Sequence, residues 1–274
     1  MALIQVNFVS KSLMRTVPIQ VILPVDKFSL SDRPLREEKP FKTLYLLHGI
    51  FGNYTDWVTN TRIQKWAEKK NLAVVMPSGD NAFYADDPVS GNLYGQFVGQ
   101  ELVDITRRMF PLSRKREDTF IAGLSMGGYG AVINGLKYHE TFSHIATLSG
   151  AVHLLEESML DEMSRKHNFL GDIQEAAKTD KNPRVLLEKI QKLRATDPTV
   201  TFPKIYQTCG KEDFLYEANC LYREIFRSYG VDLTWDERPG KHDWDYWDET
   251  IQDVLAWLPL EEDSQGVTSG SIDA

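Results

Sequence analysis

The amino-acid sequence predicts an α/β fold in which a central, mostly parallel sheet is flanked by helices. Two observations support this prediction: short apolar runs rich in strand-forming residues recur along the chain, and stretches of helical period alternate with them. A length of 274 residues is sufficient for one sizeable core. We therefore expect a single domain over residues 1–260.

The strands are predicted in chain order. The stretches QVNFVS and VPIQVILP near the start are typical of an antiparallel pair at a sheet edge. Apolar runs of the buried type follow at residues 43–47, 72–76, 119–122, 145–148, 204–208 and 232–235. These runs are predicted to supply the parallel part of the sheet.

The helical stretches between the strands each carry an apolar stripe, which we interpret as a face packed on the core. The stripes consist of Ile63, Trp66 and Ala67; of Leu102, Thr106 and Met109; of Leu221, Ile225 and Tyr229; and of Trp247, Ile251, Val254, Leu255 and Leu258. Gly230 and Pro259 follow the last two stripes and are typical of helix ends.

Residues 152–198 interrupt this alternation. The segment is polar, helical in composition, and lies between two predicted strands without being needed for the sheet. Within it, Asn182 and Pro183 match a helix N-cap and first helical position. We expect this insertion to cover the strand ends as a cap over a pocket, and a plain surface excursion is the alternative interpretation. The acidic, polar tail at 261–274 is predicted to be disordered.

Composition excludes several classes of function. A net charge of -8 and a pI near 5.3 disfavour nucleic acid and anionic membrane surfaces as partners. Since the chain shows neither a membrane-spanning stretch nor a secretory signal, we expect a cytoplasmic protein. Cys209 and Cys220 are expected to be reduced thiols. Zinc and phosphate-loop motifs are missing, so no metal or other cofactor is predicted, and a homo-oligomer remains compatible with the sequence.

The strongest motif is Gly123-Leu124-Ser125-Met126-Gly127, which follows a predicted strand and precedes a predicted helix. At a cramped strand-to-helix turn of this kind, glycines two before and two after the serine remove side chains that would collide. The pattern GxSxG alone arises easily by chance. The prediction of a nucleophilic serine therefore depends on its partners.

A serine hydroxyl needs a neutral imidazole to accept its proton and a carboxylate to orient that imidazole. In folds with this turn, the order along the chain is serine, acid, histidine, each at the carboxyl end of a strand. Only His242 lies between the last predicted strand and the last helix. Asp213 follows the strand at 204–208, with helix capping as its alternative role. We predict Ser125 as nucleophile, His242 as base and Asp213 as the orienting acid.

Attack on a carbonyl creates an oxyanion that needs backbone N–H donors. Met126, directly after the serine, is predicted to supply one donor. Gly49 lets the chain turn so that Ile50 supplies the other, with Phe51 as the alternative, and His48 is expected to brace this loop. The aromatic residues near the motif loops are candidates for lining a pocket or for ordinary packing; they are Phe51, Trp57, Tyr84, Phe214 and Trp244.

Four segments, LYLLHGIFGN, FIAGLSMGGYGA, CGKEDFLYEAN and GKHDWDYW, together resemble the esterase D-type branch of the α/β-hydrolases. Within it the likeness is closest to bacterial tributyrin esterases, with S-formylglutathione hydrolases and mycolyltransferases as relatives. The resemblance implies the α/β-hydrolase fold, a triad of Ser125, Asp213 and His242, an acyl-enzyme, no cofactor, and a small-molecule ester with a short acyl chain. Some relatives release acetyl or feruloyl groups from plant polysaccharides. The chain departs most from the family at 152–198, so substrate choice transfers least.

Three other functions stay open on the sequence alone. A thioesterase acting on S-formylglutathione uses the same chemistry, but its substrate carboxylates favour cationic groups, and no basic cluster is evident near the motifs. An acyltransferase differs only in the acceptor that takes the acyl group from the serine. A non-catalytic scaffold is disfavoured by the intact set of three residues.

Overall fold

The computed structural model describes residues 1–28, 39–157 and 169–261. Within these ranges, eight strands form one sheet in the order β1-β2-β4-β3-β7-β8-β9-β10, and β5 pairs with β6 as a separate ribbon. The strands are β1 (Ala2–Ser10), β2 (Arg15–Leu23), β3 (Thr43–Leu47), β4 (Ala73–Pro77), β5 (Asp86–Asp87), β6 (Asn92–Leu93), β7 (Thr119–Leu124), β8 (His144–Leu148), β9 (Lys204–Gly210) and β10 (Leu233–Arg238).

Helices connect these strands and cover both faces of the sheet. In the described ranges the α-helices are α1 (Asp56–Asn60), α2 (Ile63–Lys69), α3 (Tyr94–Gln96), α4 (Leu102–Met109), α5 (Met126–Lys137), α6 (Ile173–Ala176), α7 (Pro183–Thr196), α8 (Tyr216–Ser228) and α9 (Trp244–Trp257). A π-helical turn at Phe97–Glu101 joins α3 to α4, and a 3₁₀ turn at Arg116–Asp118 precedes β7. Described helices are all too short or too polar to cross a membrane.

The sheet has the predicted topology. β1 and β2 form an antiparallel hairpin in which Ala2 pairs with Leu23, and β2 runs antiparallel to β4. All other neighbours, from β4 through β10, are parallel. The α/β-hydrolase architecture expected from the sequence is therefore confirmed. The carboxyl ends of the parallel strands open at a single edge, where the loops described below lie.

Two apolar layers bury the sheet, one on each face. β3, β4 and β7 are buried at every residue, as expected for central parallel strands that read as continuous apolar runs. β10 is the last strand of the sheet, and each of its residues is only half-buried. The centre of the sheet is thus its most protected part, and β10 lies at an exposed edge.

Two of the predicted helix faces are shifted from those observed. Leu221 is 42% exposed, and α8 instead packs Tyr222, Ile225 and Phe226 on the core. Both faces of α8 carry apolar residues at helical spacing, and the face with the two aromatic rings buries more area. Met109, the last residue of α4, is also 42% exposed, although Leu102 and Thr106 are buried as predicted.

The segment 152–198 is not dispensable for the sheet, contrary to expectation. β8 and β9 are adjacent and parallel, so the chain must cross from one end of the sheet to the other between them. α7 provides this crossover and packs on α5. Its start is as predicted, because the Asn182 side chain accepts the Arg184 N–H at 2.9 Å and Pro183 occupies the first turn. Of the predicted cap at 152–198, residues 158–168 lie outside the described residues, as does nearly all of the predicted tail, at 262–274.

Candidate active site

Ser125 lies in a sharp turn between β7 and α5. Its φ of 53° and ψ of -117° are unusual for a residue with a side chain. A Cβ on Gly123 would lie 2.3 Å from the Gly127 carbonyl oxygen, and one on Gly127 would lie 2.5 Å from the His48 carbonyl oxygen. Neither position has room for a side chain. The two predicted motif glycines therefore allow the backbone to close around Ser125.

The structure brings the three predicted side chains together at the carboxyl edge of the sheet. His242, in the loop between β10 and α9, places Nε2 at 3.0 Å from Ser125 Oγ. On the other side of the ring, Nδ1 lies 2.9 Å from Asp213 Oδ2 and 3.1 Å from Oδ1. Asp213 follows β9, and its Oδ1 also accepts the Leu215 N–H at 2.8 Å. Hydroxyl, imidazole and carboxylate thus form a continuous hydrogen-bonded row.

The charge on Asp213 sets the direction of these hydrogen bonds. Its side chain is fully buried, and burial alone raises a carboxyl pKa. Hydrogen bonds from His242, the Leu215 N–H and the Ser149 hydroxyl outweigh that effect and lower the pKa of Asp213. An ionised carboxylate only accepts, so Nδ1 of His242 carries a proton. In the neutral ring, Nε2 is then free to accept the Ser125 proton.

Ser149 and Trp247 complete the site, and the sequence analysis did not identify their roles. Ser149 follows β8 directly, is fully buried, and has a φ of 48°. The Trp247 indole N–H donates to Ser149 Oγ at 3.2 Å, while the indole ring packs edge-on against His242 with centroids 4.9 Å apart. In the sequence, the position of Ser149 directly after a predicted central strand is the feature that could have identified it. Cys209 lies nearby, and burial raises the pKa of its thiol, which keeps it protonated.

The loop after β3 presents the backbone donor expected to face Ser125. A Cβ on Gly49 would lie 2.6 Å from Leu124 Cδ1, so a side chain at this position would require the Leu124 side chain to move. The Phe51 N–H, one of the two candidates, donates to Asn81 Oδ1 at 2.8 Å. Within the described part of the chain, the N–H groups of Ile50 and Met126 have no protein acceptor. These two donors are therefore the ones left for an oxyanion.

His48 braces this loop, as expected. The Gly79 N–H donates to His48 Nε2 at 2.8 Å, so Nδ1 carries the proton and donates to the Gly49 carbonyl oxygen at 2.6 Å. The Tyr84 hydroxyl donates to the His48 carbonyl oxygen at 3.0 Å. Burial lowers the pKa of His48, so the ring stays neutral and keeps this pattern of hydrogen bonds.

The five aromatic residues proposed as pocket lining have different environments. Trp57 and Tyr84 are completely buried, which favours ordinary packing, the alternative interpretation of these residues; Trp57 donates its indole N–H to the Leu47 carbonyl oxygen inside the core. Phe214 is 77% exposed, and its ring centroid lies 4.6 Å from that of His242. Phe51 is 83% exposed, and Trp244 is half-buried. Phe214 therefore packs on His242, and Trp244 packs edge-on against Trp247, with ring centroids 5.3 Å apart.

Comparisons with known proteins agree with this architecture. The Esterase family model, described as "Putative esterase", matches residues 10–258. The "Acetyl esterase" of Caldicellulosiruptor saccharolyticus is 39% identical over 271 residues, which cover 96% of this chain and 100% of that protein. The chain is thus similar to a named esterase over almost its whole length.

Solved structures give the same result. The S-formylglutathione hydrolase (FrmB) of Staphylococcus aureus is 32% identical, with a TM-score of 0.78 over 94% of this chain and 98% of that chain. The fluorophosphonate-binding serine hydrolase FphF of the same organism matches with the same identity, coverage and TM-score. Together with the family match over residues 10–258, these similarities show that the chain belongs to the esterase family of α/β-hydrolases and is a serine esterase.

Proposed function

We propose that this esterase hydrolyses short-chain carboxylic esters through an acyl-enzyme on Ser125. The observation that carries the proposal is the row of contacts from Ser125 Oγ to His242 Nε2, at 3.0 Å, and from His242 Nδ1 to Asp213 Oδ2, at 2.9 Å. Such a row is the arrangement that activates a serine for attack on a carbonyl. In this proposal His242 is the general base, and Asp213 orients the imidazole.

The reaction follows from these positions. His242 Nε2 accepts the hydroxyl proton as Ser125 Oγ bonds to the ester carbonyl carbon. The carbonyl oxygen becomes an oxyanion between the Ile50 and Met126 N–H groups, and each such donor contributes about 3–4 kcal/mol to stabilising the transition state. The alcohol leaves with the proton from Nε2. Water, deprotonated by the same nitrogen, then releases the carboxylic acid and restores Ser125.

A short acyl chain is supported by two observations. Ser125 is only 8% exposed, which limits the space next to its hydroxyl. The relative that is 39% identical is named an acetyl esterase. Acetyl and butyryl esters, with tributyrin among the latter, are the substrates that we infer. Each carries an acyl chain small enough to enter a narrow site.

The test is a series of p-nitrophenyl esters from acetate to dodecanoate, with tributyrin as a natural-type ester. We expect kcat/KM to be highest between the acetate and the butyrate and to fall with longer chains. Ser125→Ala is expected to lose both turnover and fluorophosphonate labelling with an unchanged circular dichroism spectrum. Ser228→Ala is the matched control, because that hydroxyl donates to the Ile225 carbonyl oxygen of its own helix. Wild-type turnover by Ser125→Ala would overturn the proposal.

Thioester hydrolysis of S-formylglutathione is the second candidate, favoured by the 32% identity to a structure of that name. The charges near the site argue for the simple ester. A cavity of about 280 Å³ beside Asn81 contains Arg15 and Lys181, but three aspartates, Asp80, Asp86 and Asp87, also line it. Arg15 is already paired with Asp80 at 2.7 Å. A ratio of kcat/KM above one for S-formylglutathione over p-nitrophenyl acetate would favour the thioesterase instead.

A further inference from the structure

We infer that Asn81 is a positioning residue for the oxyanion hole: its side-chain carbonyl holds the Phe51 N–H and thereby fixes the peptide that follows Ile50. The inference rests on the proposed function, because it concerns the same site. Asn81 lies in the loop after β4, outside the motifs that identified the candidate residues. It touches no reacting atom in this scheme and acts through the backbone of the loop after β3.

Two neighbouring peptide groups fix the backbone on either side of Ile50. In a trans peptide the carbonyl and the following N–H point in opposite directions. The Gly49 carbonyl and the Ile50 N–H share one such group, and His48 Nδ1 donates to that carbonyl at 2.6 Å. His48 therefore sets the direction of the Ile50 N–H.

The next peptide group is held from a different loop. It contains the Ile50 carbonyl and the Phe51 N–H, and this N–H donates to Asn81 Oδ1 at 2.8 Å. The two peptide groups that flank the Ile50 Cα are thus each held by one side chain, His48 on one side and Asn81 on the other. With both groups held, rotation of the Ile50 backbone is restricted, and the direction of its N–H is restricted with it.

The backbone conformation of Phe51 explains why such a contact is needed. Its φ of 68° is unfavourable for a residue with a bulky side chain. The ring is 83% exposed, so packing of the ring contributes little to holding the residue in this conformation. Among the described residues, two hydrogen bonds oppose relaxation: the Gly52 N–H donates to the Gly49 carbonyl at 3.3 Å within the loop's own turn, and the Phe51 N–H donates to Asn81.

The loop that carries Asn81 is itself well anchored. The neighbouring Asp80 is paired with Arg15 at 2.7 Å and accepts a hydrogen bond from Tyr94. On the other side, Tyr84 is completely buried and donates to the His48 carbonyl oxygen. Asn81 is therefore an exposed residue on a rigid support, which suits a group that holds a second loop in place.

The experiment compares three variants with the wild type. Asn81→Ala removes the acceptor, and Asn81→Asp keeps a carboxylate oxygen at the same distance. Asn92→Ala is the control: Asn92 lines the same cavity and accepts from Arg15 at 3.1 Å, without a contact to the loop after β3. Two quantities are measured for each: kcat and KM for p-nitrophenyl acetate, and the inhibition constant of a trifluoromethyl ketone, which bonds to Ser125 and places an oxyanion in the hole.

We expect Asn81→Ala to lower kcat by about tenfold with little change in KM, which is less than the loss of a complete oxyanion donor. The inhibition constant of the ketone is expected to rise by the same factor, a change that a merely structural role would not produce. Asn81→Asp is expected to remain within about fivefold of the wild type, since its exposed charge is screened. Asn92→Ala is expected to match the wild type in both measurements.

The inference is overturned if folded Asn81→Ala keeps the wild-type kcat, or if kcat falls while the ketone binds as tightly as before. If Asn81→Ala does not fold, Asn81→Gln, which displaces the same carbonyl by one methylene group, gives the same comparison. Different outcomes would contradict the proposed function: a wild-type enzyme that does not hydrolyse the esters, or a Ser125→Ala variant that remains active. A fully active Asn81→Ala in an ester-hydrolysing enzyme contradicts only the role of Asn81.

Discussion

Trp247 donates its indole N–H to the hydroxyl oxygen of Ser149 across 3.2 Å, directly behind the Asp213–His242 pair. The same hydroxyl hydrogen-bonds to the Asp213 carboxylate and lowers the pKa of that group. Trp247 also packs its ring against His242, so one residue from α9 contacts the imidazole and supports the group that orients it. The alignment of His242 therefore depends on the end of β8 as well as on β9 and β10.

The first prediction concerns this contact. Ser149→Ala is expected to lower kcat for p-nitrophenyl acetate by about tenfold, since even a small misplacement of a reacting group costs up to about a hundredfold in rate. The variant also leaves the buried Trp247 N–H without an acceptor, which costs about 1–3 kcal/mol in the free energy of unfolding. Steady-state kinetics and urea unfolding measure the two effects. A variant with wild-type kcat would show that Asp213 is held well enough without the hydroxyl.

Asp213→Asn is expected to reduce kcat by about 10⁴-fold while the protein remains folded. The asparagine side chain preserves the shape but offers an N–H that favours the wrong tautomer of His242. Steady-state kinetics with p-nitrophenyl acetate measure the loss of kcat, and a circular dichroism spectrum checks that the variant is folded. Glu212→Gln, one residue earlier and exposed, is the comparison; the amide oxygen of glutamine can still accept the Gly240 N–H, so this variant should retain activity. If Asp213→Asn keeps a tenth of the wild-type rate, another group orients the histidine.

Gly127→Ala is expected to destabilise the fold by about 2–3 kcal/mol and to abolish activity. The added Cβ would lie 2.5 Å from the His48 carbonyl oxygen and 2.6 Å from that of Leu47, and neither backbone atom moves easily. Gly91→Ala is the matched control. That glycine has a φ of 75° and open space around it, so its substitution should cost only about 1 kcal/mol. Chemical unfolding of both variants distinguishes crowding at the turn from a general effect of replacing glycine.

His144 is expected to make the fold less stable in acid. Burial, together with the nearby charges of Lys204 and Arg116, lowers the pKa of this histidine to about 4. Between about pH 6.5, the ordinary value for histidine, and pH 4, the unfolded chain binds a proton that the folded chain does not. The contribution of His144 to the free energy of unfolding is therefore fully present above about pH 6.5 and is lost as the pH falls towards 4.

The loss attributable to His144 is on the order of 1–2 kcal/mol, once the partial exposure of its ring is allowed for. His144→Gln should accordingly show a smaller decrease in the free energy of unfolding between pH 7 and pH 4.5. Burial also lowers the pKa values of His48 and His139. The dependence of the free energy of unfolding on pH should therefore become weaker in His144→Gln without disappearing. Urea unfolding at several pH values provides the measurement. If the free energy of unfolding falls with decreasing pH as steeply in the variant as in the wild type, protonation of His144 does not affect the stability of the fold.

The fold was largely predictable because its central strands are buried on both faces. β3, β4 and β7 read as continuous apolar runs, and the turns that follow them contain the glycines that close approach requires. The positions of Ser125, Asp213 and His242 followed from the order of the strands, since each lies in the turn or loop that follows a strand. Strand ends at one edge of a sheet lie near each other whatever their separation in sequence.

Other features depend on contacts that leave no local pattern. Asn81 acts through a hydrogen bond to Phe51, 30 positions away, and Ser149 acts through hydrogen bonds to Asp213 and to Trp247, 98 positions away; a lone polar residue in a loop does not indicate its partners. The segment 152–198 is polar in composition, and this does not indicate that α7 within it packs a buried face on α5. Trp57 lies in α1 and Tyr84 in the loop after β4, and whether their rings turn inwards depends on packing. Composition near a motif does not determine that direction.

The exposed edge position of β10 affects how the enzyme should lose activity on heating. The serine turn and the loop after β3 are attached to the protected centre, whereas the loop carrying His242 continues from the outermost strand. Fraying of that strand would remove the base without disturbing the nucleophile or its backbone donors. Thermal inactivation is then expected to precede the loss of helical signal, and an early inactivated state should recover on cooling, because the rest of the sheet remains as a template for β10.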